Sequence, residues 1–509
     1  MSRKLRRQNA KRARQTDSVT EPDALDLAGY KSLVQRGNYV AALQEIELLE
    51  KRFPNSAAVH YFAANALLSI GHLEKGLKRT EKALKIAPKN LRLLCLKAQI
   101  LLLLDEATGS RAILERVLAE DPDFVQAIKL LARVVKVEGK YEDYKENLKK
   151  AWKLDSDDPG ICLELSLADP ALFDDKALQK IENKLSSKDT GIESKAVFQF
   201  AVGNILLSGH QDEMAFAAYR EANALIRQTD RGQALHPAKA LGIWQRAGIS
   251  RAFFEERGAH GSPDKRQIYV LGCSRSGKSL TGSILSMYPG AKAVGESMRT
   301  ARLITDFMKA LNISPTDYLN TRSVAAAQSD AELYLKTVGV GNARLRIDTL
   351  PDNLWRLPML SFWFPRTPIV FCKRNFLDLG VSIYFQYYGT GNRPLFDLYE
   401  IGQYMRAYEE LMKFFEGILP NPIVWMDYDE LVRAPRQMAT LLYEDLGLGF
   451  DNVDFSRLEP AATQSEQGVH PIGSSDSVTA VGTVGVGIGQ RFDRYLDALR
   501  EGYAAPLKT

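Results

Sequence analysis

The 509-residue chain is poor in the residues that most often announce chemistry. It has 4 cysteines and 6 histidines. Cys95, Cys162, Cys273 and Cys372 stand far apart, with neither the paired spacing of a zinc site nor the density of a disulfide framework. That pattern suits a reducing compartment, and the expected location is the cytoplasm. Cys273 has no histidine near it in sequence and reads as a small packing residue rather than a nucleophile. Long apolar runs are also missing. A membrane span needs roughly 20 apolar residues, and "LRLLCLKAQILLLL" at 91–104 is shorter and carries Arg92 and Lys97. The start, "MSRKLRRQNAKRARQ", has no apolar core, so no secretory signal is expected in it. Residues 1–24 read as a solvated basic arm, with contact to an anionic surface as the alternative. Charge of one sign is not in large excess either. The net +5 is slight for this length and gives no argument for nucleic acid as a partner.

What is present is enough apolar sequence for two or more cores: 45% hydrophobic and 25% charged residues over 509 positions. The first half repeats itself. Pro54, Pro88 and Pro122 are each 34 residues apart, and each follows a helical run: "ELLEKRFPNS", "EKALKIAPKN", "ERVLAEDPDF". Pro159 comes 37 residues later, after "KKAWKLDSDDPG". Gly37, Gly71 and Gly139 mark a turn inside the repeat, and at the missing position, Asp105, the sequence reads "LLDEA". This period, turn and closing proline are those of tetratricopeptide repeats. Such helix pairs bury their apolar faces only by stacking, and the stack has an inner surface suited to a peptide or partner protein. "FAVGNILLSGHQDEMAFAAYREANALI" (200–226) reads as a further hairpin with Gly209 at its turn. Residues 160–199 read as helical but out of register.

From about 266 the pattern changes to short apolar runs between helical stretches: "IYVLG" (268–272), "PIVFCK" (368–373) and "PIVWMDY" (422–428). Alternation of this kind predicts a parallel sheet covered by helices, with ligands bound beyond the carboxyl ends of the strands. Directly after "IYVLG" stands "GCSRSGKS", Gly272 to Ser279. Glycines and backbone N–H groups at a helix start form an anion cradle. As G-x-x-x-x-G-K-S it also fits a nucleotide triphosphatase, with Lys278 on phosphates and Ser279 on magnesium. That reading wants an aspartate closing a buried strand. "PIVFC" closes in Lys373 and Arg374 instead, and Asp427 in "IVWMDYDEL" is weak support. Arg374 and Ser382, eight residues apart, frame the start of the next helix and form a second anion site. Two such sites fit a nucleotide phosphorylated on both its 3′ and 5′ sides, 3′-phosphoadenosine 5′-phosphosulfate.

At these motifs the second half resembles the sulfotransferase family, near its tyrosylprotein sulfotransferase branch, and the whole chain resembles bacterial proteins joining tetratricopeptide repeats to such a domain. The resemblance is carried by "GCSRSGKSLTGSILSMYPGAKAVGES", by "LPDNLWRLPMLSFWFPRTPIVFCKRNFLDLGVSIYFQYY", and by "YMRAYEELMKFFEGILPNPIVWMDYDELVRAPRQMATLLYEDLGL". It implies that Arg275, Ser276, Gly277, Lys278 and Ser279 hold the 5′-phosphosulfate, and that Arg374 and Ser382 hold the 3′-phosphate. Glu296 matches the general base, with Arg275 and Lys278 neutralising the leaving group, so that no metal is required. Ser465 is a further cofactor contact. Two departures stand out. In "DTLPDN" Thr349 replaces the family's usual lysine, while Lys278 stands where the family usually has threonine. Near the C-terminus His470 precedes Pro471, where an arginine is usual.

The expected architecture is multidomain: an N-terminal all-α tetratricopeptide-repeat solenoid and a C-terminal α/β P-loop-like sulfotransferase domain with a central parallel sheet. The divisions are 1–24 for the arm, 25–160 for the repeats, 161–255 for irregular helical repeats and linker, and 266–500 for the sulfotransferase domain. The expected function is sulfuryl transfer to a hydroxyl, tyrosine of a protein or peptide being one acceptor and a carbohydrate or metabolite another, with the repeats binding acceptor or partner. Two alternatives stay open: a non-catalytic repeat scaffold with a degenerate domain, and a P-loop kinase or NTPase using Lys278 and magnesium.

Overall fold

The computed structural model describes residues 21–104, 106–229, 236–258, 261–295, 298–338, 341–389, 392–455, 458 and 485–507. Contacts divide the chain into two units, Met1–Ser156 and Asp157–Thr509.

Among the described residues the first unit is four helix pairs: Ala28–Gln35 with Tyr39–Arg52, Ala57–Ser69 with Leu73–Ile86, Leu91–Leu103 with Ala107–Glu120, and Val125–Val137 with Tyr141–Leu154. Side chains of Asn38, Ser56 and Asn90 cap helix starts by accepting the N–H groups of Ala41, Val59 and Leu93. The turn glycines Gly37, Gly71 and Gly139 have φ of 69°, 72° and 76°, the left-handed region that glycine enters without penalty. The stacking surface keeps the 34-residue step. Leu49, Ala83, Val117 and Ala151 are all buried, as are Ile46, Thr80, Leu114 and Leu148. The first helices of successive pairs, 57–69, 91–103 and 125–137, pack against one another and form the inner layer.

The second unit is built on five parallel strands in the order β2-β3-β1-β4-β5. They are β1 (Gln267–Gly272), β2 (Ala291–Gly295), β3 (Leu345–Asp348), β4 (Ile369–Lys373) and β5 (Ile423–Asp427). Both faces are covered. Tyr269, Leu271, Ile369 and Phe371 point to one core with helices Asn353–Trp363 and Leu398–Ile418. Ile268, Val270, Val370 and Cys372 point to the other, with Lys278–Ser286, Tyr428–Arg433 and Pro435–Asp445. The sequence signalled β1, β4 and β5 but not β2 or β3. Strand β2 is a largely exposed edge, and β3, "LRID", hides two charges. Arg346 is 1% exposed because Gln267 Oε1 (2.9 Å) and Tyr334 OH (3.3 Å) accept from its Nη1, while Asp348 lies 3.7 Å from Nη2.

The helices before the sheet belong to this unit. Ile192–Ser208 and Asp212–Thr229 form the expected hairpin. Its turn is made by His210, with φ 57°, rather than by Gly209, whose φ is −84°. The hairpin packs on the sheet's helices through aromatic rings. Tyr219 stacks on Phe385 at 3.9 Å and Phe216 on Tyr495 at 4.3 Å. Asn223 Nδ2 donates to the Tyr384 carbonyl at 2.9 Å, closing the C-terminus of helix Phe376–Tyr384. Among the described residues no helix is long and apolar enough to cross a membrane.

Candidate functional site

Strand β1 is buried throughout and ends at Gly272. A Cβ at Gly272 would collide with Ser276 Oγ and with the Cys372 carbonyl at the end of β4, so only glycine lets the loop fold back over the sheet. Gly277, at φ 98°, precedes helix Lys278–Ser286, and a Cβ there would meet the Tyr428 ring at 2.5 Å. Arg275 also has positive φ, 69°, which is unusual for a side chain of its size. The loop therefore holds a cradle shape, with Arg275 and Ser279 exposed and Ser276 and Lys278 buried. Lys278 Nζ donates to the Cys273 carbonyl at 3.2 Å, inside the loop.

The second expected anion site meets the first. Arg275 Nε donates to Ser382 Oγ at 3.2 Å. Arg374 Nη1 donates to the Arg275 carbonyl at 3.1 Å, and Arg374 Nη2 to the Gly485 carbonyl at 2.7 Å. Its guanidinium lies 4.5 Å from the centre of the Tyr428 ring. Burial pulls the pKa of Arg374 below the ordinary arginine value, and Arg275 adds to this, while Tyr428, Asp378 and Asp429 oppose it. Two polar atoms of the cluster, Ser276 Oγ and Arg374 Nε, are buried without a hydrogen-bond partner. Buried polar groups are normally paired, and these two have no partner within the protein.

The helix carrying Ser382 is anchored at both ends. Asn375 Oδ1 caps it by accepting from Leu377 N (3.0 Å) and Asp378 N (3.3 Å), and Asn375 N donates to Asp429 Oδ2 at 2.7 Å. Asp378, itself buried, accepts the N–H groups of Gly487 and Gly489, each at 2.7 Å. Ser274 Oγ and Tyr388 OH are 3.0 Å apart and tie the loop to the chain after this helix. Sequence reasoning missed Ser274, Asp378, Tyr388 and Tyr428. The one signal was Tyr428 itself, an aromatic at the end of a strand beside an anion loop.

Thr349 follows β3. Its N–H donates to the Gly295 carbonyl at 3.1 Å, and its methyl lies where a Cβ on Gly282 would be, at 2.7 Å. Gly282 is one turn beyond Lys278, so Thr349 borders the helix face that carries the lysine. Cys273 and Cys372 flank the loop as buried thiols, pushed by burial up to about 12 and about 11, and behave as packing residues. Glu296, Ser465, His470 and Pro471 lie outside the described residues. Among the described residues, no group of three or more His, Cys, Asp or Glu side chains is placed to hold a metal ion. Asp348 ends β3, the neighbour of β1, and its Oδ1 accepts from Leu350 N at 3.1 Å.

One comparison with known proteins falls on this unit. Residues 267–452 match the model of the sulfotransferase family. The chain carries a sulfotransferase-family domain. With the helix pairs of the first unit, it is a protein of tetratricopeptide-type repeats joined to that domain. An uncharacterized protein of Aquifex aeolicus (strain VF5) is 25% identical over 285 residues, which is 53% of this chain and 37% of the relative. The chain thus spans well under half the length of that relative. Solved structures similar to the chain include a MamA RS-1 double mutant, with 18% identity, 40% of this chain and 95% of the other covered, and a TM-score of 0.25. Pseudomonas aeruginosa PilF shows 16% identity, coverage of 40% and 90%, and a TM-score of 0.29. YrrB, a tetratricopeptide-repeat protein with an unusual peptide-binding site, shows 15% identity, coverage of 35% and 91%, and a TM-score of 0.25.

Proposed function

We propose that the sulfotransferase-family domain moves a sulfuryl group from 3′-phosphoadenosine 5′-phosphosulfate to a hydroxyl acceptor. The observation that carries this reading is the joining of the two anion sites, through Arg275 on Ser382 (3.2 Å) and Arg374 on the Arg275 carbonyl (3.1 Å). The residues present fit such a donor, because its anionic oxygens are acceptors for the two orphaned donors, Ser276 Oγ and Arg374 Nε. Arg275, Ser276, Gly277, Lys278 and Ser279 would hold the 5′ side, and Arg374 and Ser382 the 3′-phosphate, with Ser465 as a further contact. The bound donor supplies an activated sulfuryl group and a phosphate as leaving group. Arg275 and Lys278 would place positive charge where the leaving oxygens gain negative charge. Glu296 would take the proton of the acceptor hydroxyl. This reading needs no metal ion. It places the enzyme in the cytoplasm, acting on a tyrosine of a protein or peptide, with the repeats binding acceptor or partner.

The lysine exchange belongs to the same proposal. Lys278 supplies the charge that Thr349 does not, and both border one helix face. Lys278→Thr is expected to abolish transfer, and Thr349→Lys in that background to restore part of it. An unchanged rate in Lys278→Thr overturns the idea.

A second reading, an NTPase, has one observation in its favour: Asp348 closes the strand beside β1. Against it, that carboxylate already accepts a backbone N–H and faces Arg346. Calorimetric titration separates the two. Binding of 3′-phosphoadenosine 5′-phosphate without metal, lost in Arg374→Ala and weakened in Ser382→Ala, supports the donor reading. Preference for ADP with magnesium overturns it in favour of the NTPase. Binding of neither leaves the repeats as the working part of a scaffold.

A further inference from the structure

The guanidinium of Arg374 is held at both terminal nitrogens. Nη1 donates to the Arg275 carbonyl at 3.1 Å and Nη2 to the Gly485 carbonyl at 2.7 Å. A guanidinium is planar, so bonds at both ends of its fork fix the plane and with it the direction of Nε. Nε is the donor that stays buried and unpaired. Both acceptors are neutral carbonyls, which orient the cation without cancelling its charge. Asp378 and Asp429 are near enough for their charge to act on Arg374. Their carboxylates are turned to backbone N–H groups instead: Asp378 to Gly487 and Gly489, Asp429 to Asn375.

One of the two carbonyls lies in the loop after β1. The other, at Gly485, lies in a segment outside the sheet, and its place has to be set from elsewhere. Val486 packs into the core beneath helix Lys278–Ser286, and Ile488 into the core on the opposite face of the sheet. Between these apolar anchors the polar anchor is Asp378. It is 4% exposed and divides its oxygens, Oδ2 accepting from Gly487 N and Oδ1 from Gly489 N, each at 2.7 Å. Bonds to a charged acceptor are the stronger kind. The approach is backbone to backbone. A Cβ at Gly489 would lie 2.5 Å from Leu377 Cβ, and one at Gly485 would lie 2.6 Å from Arg374 Nη2. Asp378 also stands one turn before Ser382 on helix Phe376–Tyr384, so both lie on one face of it.

We propose that Asp378 is a positioning residue for Arg374. Its carboxylate holds segment 485–489 against helix 376–384, and the Gly485 carbonyl of that segment sets the guanidinium plane so that Nε is presented to the 3′-phosphate of the donor. Asp378 acts through Arg374 and touches no ligand itself. The inference rests on the donor reading above and adds to it a residue that recognises the 3′-phosphate at second hand.

The test is calorimetry on the full chain without metal, with two ligands: 3′-phosphoadenosine 5′-phosphate, and adenosine 5′-phosphate at millimolar concentration, which lacks the 3′-phosphate. Asp378→Asn removes the charge and one of the two acceptors. It is expected to weaken the bisphosphate by about tenfold or more and the monophosphate by less than about twofold. Gly485→Ala leaves Asp378 and its bonds in place but puts a methyl against Arg374 Nη2. It is expected to show the same selective loss, which keeps the inference open to refutation if Asp378→Asn does not fold. Thermal melts show which variants are folded at the temperature of titration. Equal loss for both ligands means that Asp378 only supports the fold, and overturns the inference. Full bisphosphate affinity in either folded variant overturns it too, while the donor reading stands. If the parent chain fails to bind the bisphosphate, the donor reading falls and takes the inference with it.

Discussion

The hairpins of the repeat unit and the hairpin 192–229 share a plan, two helices and a tight turn, yet they pack by different means. A repeat hairpin meets a copy of itself, so buried positions recur at a fixed step: Ala42, Gly76, Ser110 and Tyr144 at one, and Leu49, Ala83, Val117 and Ala151 at another. Ser110 Oγ even satisfies itself on the Ala98 carbonyl, at 2.8 Å. Hairpin 192–229 meets a surface unlike itself, the helices of an α/β domain. It does so with large rings, and its polar contacts are specific, Asn223 to Tyr384 and Arg491 to Asp212. Periodic burial is thus the mark of self-stacking, and unmatched aromatics the mark of docking onto something else.

The largest test of this contrast is Phe216→Ala. The ring stacks on Tyr495 and packs tilted against Tyr384, and its loss is expected to destabilise the second unit by about 3–5 kcal/mol. Hydrogen exchange read by mass spectrometry should show this in peptides of residues 157–509 and leave those of the repeats unchanged. A uniform change in both units would break the comparison. Next come two glycine-to-alanine changes of opposite sign. At Gly203 a Cβ would lie 2.7 Å from the Tyr219 ring, so Gly203→Ala is expected to cost about 1–3 kcal/mol. At Gly76 the nearest atoms are 3.5 Å away, and Gly76→Ala is expected to stabilise the repeats by about 0.5–1 kcal/mol. Thermal melts of the pair decide whether the sign differs. The smallest effect concerns pH. Burial holds the His60 pKa below the ordinary histidine value, with Arg79 and Lys82 adding to this and Glu50 opposing. Below about pH 6.5 the unfolded chain takes up a proton that the folded one resists, so the repeats lose stability as pH falls. His60→Gln should flatten that slope in melts recorded between neutral and acid pH.

The repeats were legible in sequence because a 34-residue step writes the same packing problem several times over. The hairpin 192–229 was legible as a hairpin but not in its packing, because nothing local says that Phe216 faces Tyr495. In the sheet, β1, β4 and β5 showed as apolar runs. Strand β3 did not, since its core positions include Arg346 and Asp348, which are buried only because partners from β1 and from helix 324–338 arrive together. In the site, the loop and the Arg374–Ser382 pair were readable from spacing. Their meeting was not, because the contacts that join them, Arg275 to Ser382 and Arg374 to Arg275, span 107 and 99 positions.

Arg275 holds a backbone conformation that disfavours every residue except glycine, by about 1–2 kcal/mol for most side chains. A library of variants screened for thermal resistance alone would drift toward glycine at this position, and, on the role proposed for Arg275, one screened for donor binding would drift back to arginine. The residue recovered at 275 would therefore report which of the two demands a population had been under, without any assay of the reaction itself.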